Sequence, residues 1–427
     1  MKNLPLASIS KTTLRSTTIA LAFAILFGTL AAQSVQAQTY TVLYTFTGVP
    51  DGAEPEAGLV RDAEGNLYGT TLAGGDSTCN QLGCGVVFKI DTAGKETLLY
   101  EFKHGNGYGA AELAGLTLDS QGDLFGTHFG IAFELTPSDG FAIVHNFNRK
   151  PGGLYPESRL VLDSSRNLYG TTVAGGNSTN SGIVFKLDKF GKETVLYTFT
   201  CPECNGHSGG GFGIPHGGVI RDSAGNSYGT ASGGTGRKSP CYNNGCGVVY
   251  KVDKAGVGTI LYSFKGGKDG IQPTGNLIMD AAGNLYGTTS LGGGGRACPE
   301  NNGCGIVFKL DPSGKETVLY RFTGGTDGAI PGGGLAIDKQ GNLYGTTQFE
   351  GAEGCFMNAY GCGTIFKVAP SGALTTLYTF QGGTDGGFPN PDLVWDKAGN
   401  LYGTTGAGGS NSCPDYVSCG VVFKITP

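Results

Sequence analysis

Several things are scarce in this 427-residue sequence. It holds 5 histidines, 3 methionines and 1 tryptophan, and only 15% of its residues are charged. No Gly-x-x-x-x-Gly-Lys phosphate loop and no His-Glu-x-x-His pair occurs, so neither phosphate cradling nor zinc-protease chemistry can be argued from motifs. Basic charge is also short: 29 Lys and Arg face 34 Asp and Glu, which leaves no electrostatic footprint for nucleic acid or an anionic membrane. Beyond residue 37 no long apolar run recurs, so the remainder should be soluble and not membrane-spanning. Glycine is abundant at 78 residues, but it lacks the three-residue period of collagen and stands beside β-branched and aromatic residues, as turn punctuation does.

The N-terminus has a different grammar. Lys2, Lys11 and Arg15 precede an apolar run from Ile19 to Ala32, and Val35-Gln36-Ala37 fits a small-residue cleavage site. Residues 1–37 therefore read as a signal peptide and 38–427 as a single domain, secreted or periplasmic. Removing the three basic residues takes the formal charge from -5 to -8.

The body is repetitive. Gly65-Asn-Leu-Tyr-Gly-Thr-Thr71 recurs at Gly283, Gly341 and Gly399, with looser copies at Gly122, Arg166 and Gly225. The preceding aspartates, Asp62, Asp119, Asp163, Asp222, Asp280, Asp338 and Asp396, mark seven units of nearly constant length, except for a short second one. Each unit has four strand-length runs rich in Val, Ile, Tyr, Phe and Thr, here called A to D. Asp-x-x-Gly turns join A to B and C to D, where the aspartate caps the turn and the glycine takes positive φ. B to C and D to the next A run through long glycine-rich loops, so one face carries all the loops. The chain opens on a D run, Tyr40 to Phe46, and ends on a C run, Gly420 to Ile425. This phase predicts an all-β, seven-bladed β-propeller of four-stranded antiparallel blades, its ring closed by the N-terminal strand.

The succession Asp-x-x-Gly-Asn-Leu-Tyr-Gly-Thr, Gly-Val-Val-Phe-Lys and Leu-Tyr-Thr-Phe resembles the GloVer tandem repeat of exported bacterial proteins, across essentially the whole mature chain. The shorter Asp-x-x-Gly-Asn-Leu-Tyr element is also similar to NHL-type and sensor-kinase propeller repeats. The resemblance implies an extracytoplasmic repeat protein and supplies no catalytic set. Members commonly end in an anchoring segment. Here Pro427 follows a strand directly, which favours release or periplasmic residence.

Twelve cysteines fall into close pairs: Cys79-Cys84, Cys201-Cys204, Cys241-Cys246, Cys298-Cys304, Cys355-Cys362 and Cys413-Cys419. In an exported chain these read as local disulfides, five of them in equivalent B–C loops. Cys201 and Cys204 have His207 and His216 nearby, so a tetrahedral metal is the rival reading at that loop. No cofactor is expected; zinc there, or calcium at the loop aspartates Asp51, Asp269, Asp327 and Asp385, are the alternatives weighed against turn formation.

Departures from the repeat are where function is sought. The second unit lacks its B–C loop, places His128 where threonine is usual and carries Glu112 in the adjoining loop, while Tyr155 and Glu157 stand near the resulting notch. Glu112 and His128 are the candidate acid–base pair. Arg61, Arg221 and Trp395 interrupt the innermost strands one position before the turn aspartate and are candidate ligand contacts. The expected function is a binding or interaction module for an extracellular glycan or protein partner. A glycoside hydrolase, a polysaccharide lyase or a structural envelope protein are the alternatives, and the catalytic ones are the less favoured.

Overall fold

The computed structural model describes residues 38–75, 83–103, 114–147, 152–177, 180–199, 214–215, 217–232, 241, 245–294, 298, 303–352, 361–410, 413 and 419–427. The repeat folds as its turn chemistry dictates. In the fifth unit, A (Ile278–Met279), B (Leu285–Thr289), C (Ile306–Leu310) and D (Glu316–Arg321) pair antiparallel in that order. Asp280 makes the A–B turn: its Oδ1 accepts from the amides of Ala282 and Asn284, and its Oδ2 accepts from Asn284 Nδ2 and the Tyr286 hydroxyl. Burial alone would raise the Asp280 pKa, but these hydrogen bonds outweigh it and hold the carboxyl below its usual range.

Seven such blades form the ring, a seven-bladed β-propeller. The seventh takes its outer strand from the other end of the chain, where Thr39–Thr45 pairs with Val421–Thr426. In every blade the C–D pair carries a bulge at the same place, as between Val307 and Phe308, which adds to the local twist.

Each seam between blades is closed by an aromatic pair. The phenylalanine ending a D strand meets the ring on the next blade's C strand edge-on: Phe46–Phe88, Phe102–Phe133, Phe147–Phe185, Phe199–Tyr250, Phe264–Phe308, Phe322–Phe366 and Phe380–Phe423. Their centroids lie 4.8–5.7 Å apart, within the favoured range for such pairs. The glycine of Leu-Tyr-Gly-Thr makes room for this layer, since a Cβ on Gly287 would approach the Phe308 ring to 2.8 Å.

The two threonines of the repeat bind in different directions. The first donates to the loop entering the next blade: Thr230 to Gly275, Thr288 to Gly333, Thr346 to Asn390 and Thr404 to Ala57. The second pins its own B–C loop, as when Thr405 donates to the Ala407 carbonyl and accepts from the Val421 amide. Gly-Asn-Leu-Tyr-Gly-Thr-Thr therefore acts as scaffold in the copies where these bonds form.

Disulfides Cys241–Cys246, Cys298–Cys304 and Cys413–Cys419 are formed, and Cys84 and Cys362 are disulfide-bonded. Cys79, Cys355, Cys201 and Cys204 lie outside the described residues. The carbonyl of the second cysteine accepts the amide of the next blade's D–A loop: Gln272 on Cys246, Ile330 on Cys304, Phe388 on Cys362 and Glu54 on Cys419. The disulfide loops thus latch the segments that lead to the propeller axis.

Candidate functional site

Each D–A loop delivers one residue to the axis two positions before strand A. In chain order these residues are Gly58, Gly115, Arg159, Gly218, Asn276, Gly334 and Asp392. Four are glycines; the other three carry polar side chains. Together with Glu56 and Glu157 they surround a pocket of about 140 Å³ at the loop-face end of the channel.

Asn276 is fixed in orientation: the Gly218 amide donates to its Oδ1 (2.7 Å), so its Nδ2 donates to Asp392 Oδ2 (2.9 Å). Asp392 is held at φ +66° and reaches toward Gly334, where a Cβ would lie 1.5 Å from its Oδ1. Burial pushes its carboxyl pKa up; the nearby Arg159 charge and the Asn276 hydrogen bond only partly oppose that. Arg159 lines the same pocket. A guanidinium, an oriented amide and a carboxyl now face one small space, a set suited to holding a polar group by several hydrogen bonds.

The residues expected from sequence are dispersed. Glu157 lines the pocket, and Tyr155 stands two residues earlier on the same loop, 40% exposed. His128 is buried in the seam between blades 1 and 2, its ring 4.3 Å from that of Phe102. Burial lowers its pKa to about 4, so it is neutral at pH 7. Its Nδ1 has no partner among the described residues. The reason for the missing threonine is now visible: blade 2 turns from B to C through Phe129 and Gly130 alone, so there is no loop to pin. Glu112, His207 and His216 lie outside the described residues.

Arg61, Arg221 and Trp395 sit toward the opposite, trimmed face, each against the B-strand tyrosine of the preceding blade. Arg221 stacks on Tyr169 at 3.6 Å, donates to the Gly225 carbonyl and lies 3.8 Å from Asp163. Arg61 lies 5.9 Å from the Tyr402 ring, and Trp395 meets Tyr344 edge-on. Arg166, which replaces a turn glycine, bonds Asp119, Gln121, Asp123 and Glu134 of the neighbouring blade and so clamps that seam. Asp51, Asp269, Asp327 and Asp385 each accept a D-strand tyrosine hydroxyl and a loop amide, which is turn formation. Among the described residues no cluster of three or more His, Cys, Asp or Glu has the arrangement of a metal site.

A model of the Gloeobacter/Verrucomicrobia repeat matches residues 127–297 and 300–427. The chain belongs to this repeat family. Comparison with curated proteins finds no match. Among solved structures, a streptogramin B lyase is similar at 13% identity, covering 91% of this chain and 97% of that one with a TM-score of 0.56. A gluconolactonase from Xanthomonas campestris is similar at 13% identity over 74% of this chain and 86% of that one, with a TM-score of 0.42. The first of these likenesses shows a shared fold and nothing of the chemistry.

Proposed function

We propose that this repeat-family member is an exported binding module that holds the end of an extracellular glycan in the axial pocket of its loop face. The carrying observation is the convergence of Arg159, Asn276 and Asp392 at the position that four other blades fill with glycine. Scaffold positions vary little from blade to blade, whereas these three differ from one another and share one space. The pocket is smaller than the ~300–1,000 Å³ of clefts for drug-sized ligands, which suits one terminal residue rather than a whole chain. Disulfides suit an oxidising, exported setting, and export follows from reading residues 1–37 as a cleaved leader. Intact mass of the secreted protein should then begin at Gln38.

The test is calorimetric titration of the purified protein with a panel of soluble oligosaccharides, while mass spectrometry follows the ligands. Saturable binding with every ligand recovered intact is the expected result. Shortened ligands would move the protein to the glycoside hydrolases or lyases, and no binding across the panel would remove the glycan reading.

A further inference from the structure

The shortened hairpin of blade 2 shapes what lies outside the axial pocket. His128-Phe129-Gly130-Ile131 reverses in two residues, with φ +32° at Phe129 and +86° at Gly130. Blade 3's D–A loop borders the space this leaves. Its Tyr155, at φ +56°, sets its ring edge-on to Phe129 with centroids 6.0 Å apart. The Tyr155 carbonyl accepts from the Val173 amide at 3.1 Å, so the backbone beneath the ring is tied to its own blade. Tyr155 is 40% exposed, less than Phe190 at 83% but enough to leave its ring open to solvent.

Tyr155-Pro-Glu-Ser-Arg159 runs directly from this aromatic ledge to the pocket. Four residues span at most ~14 Å even when fully extended, so ledge and pocket are two ends of one short segment. Ser158 anchors the middle, its Oγ accepting from the Thr171 amide at 3.1 Å. A rigid tyrosine presents a flat apolar face with little entropy to lose on contact, which suits the C–H face of a sugar ring. At the other end, the planar fork of Arg159 matches a carboxylate. Burial pushes the Asp392 carboxyl pKa up, and the Arg159 charge beside it opposes that shift. Glu56 and Glu157 line the same pocket and have interactions of their own.

We propose that ledge and pocket form one groove for an oligosaccharide ending in an acidic sugar. The terminal carboxylate lies on Arg159, and the adjoining neutral sugar packs on Tyr155. This rests on the reading of the axial pocket as a glycan site and adds the charge of the chain end and the path of the chain.

The experiment is calorimetry with three probes: a trisaccharide of two xyloses capped by glucuronic acid, its carboxyl-reduced form, and glucuronic acid alone. The trisaccharide should bind about tenfold more tightly than the monosaccharide. Tyr155→Ala should erase that advantage and leave the monosaccharide unchanged. Arg159→Gln should weaken both acidic probes about tenfold or more, and circular dichroism melting should show both variants folded. Equal binding of the reduced and acidic trisaccharides would overturn the acidic end while leaving the pocket as a glycan site. An undiminished trisaccharide advantage in Tyr155→Ala would overturn the ledge. Absence of binding by both acidic probes would overturn the whole proposal, and the broader oligosaccharide panel then decides separately whether the pocket binds glycans at all.

Discussion

At the scale of single residues, a threonine can be scaffold or burden depending on its partner. Thr288 donates across a blade seam to the Gly333 carbonyl at 3.1 Å, whereas the buried Thr70 hydroxyl finds no partner among the described residues. Thr288→Val should therefore cost about 1 kcal/mol of unfolding free energy, and Thr70→Val should be neutral or stabilising; urea denaturation of both variants checks this. His128 makes a second residue-scale prediction. Its folded pKa of about 4 lies below the ordinary 6.5, so the unfolded chain binds the proton first as pH falls. Stability is fully present above pH 6.5 and is lost on the way down to pH 4, by about 2 kcal/mol at pH 5. His128→Leu should remove that part of the acid sensitivity, seen as a smaller fall in Tm between pH 7 and pH 5 than in wild type. The imidazole stood out in the sequence because it replaced a threonine, and the structure places it where titration is suppressed. Arg159, Asn276 and Asp392 were equally legible as departures from a column of glycines. What the sequence does not show is that this position of each repeat meets its six counterparts on the axis, because that contact forms only when the ring closes.

At the scale of elements, turns and strands followed the sequence closely because their causes are local. Each Asp-x-x-Gly-Asn spells out its own hairpin, and its hydrogen bonds lie within six residues of the aspartate. The role of the disulfides was less legible, because the latch from Cys304 to Ile330 joins adjacent blades and has no short-range signature. A loop of this length should contribute about 2 kcal/mol through closure entropy. Replacing Cys298 and Cys304 together by serine should lower stability by that amount, measured by guanidinium unfolding. Hydrogen exchange should also quicken at the Ile330 amide, whose acceptor loses its anchor. Unchanged exchange there would mean that the disulfide shapes only its own loop.

At the scale of the whole molecule, the ring depends on a strand drawn from the far end of the chain. Tyr40 stacks on Tyr378 at 3.9 Å, meets Phe380 edge-on and donates to the Asp385 carbonyl. Truncating it in Tyr40→Ala should cost about 3 kcal/mol, the lower end for aromatic side chains, and should lower the single thermal transition rather than split off one blade. The closure was readable from the phase of the termini; the axial pocket was not, because it exists only once seven loops meet. On the proposed reading, the repeat supplies the scaffold and its three axial exceptions supply the binding site. The most direct measurement is calorimetric titration of the oligosaccharide panel into the variant Arg159→Gly/Asn276→Gly/Asp392→Gly, which restores the glycine found in the other blades. This variant should melt within a few degrees of wild type and bind none of the ligands that wild type binds. Undiminished binding by that variant would contradict that reading.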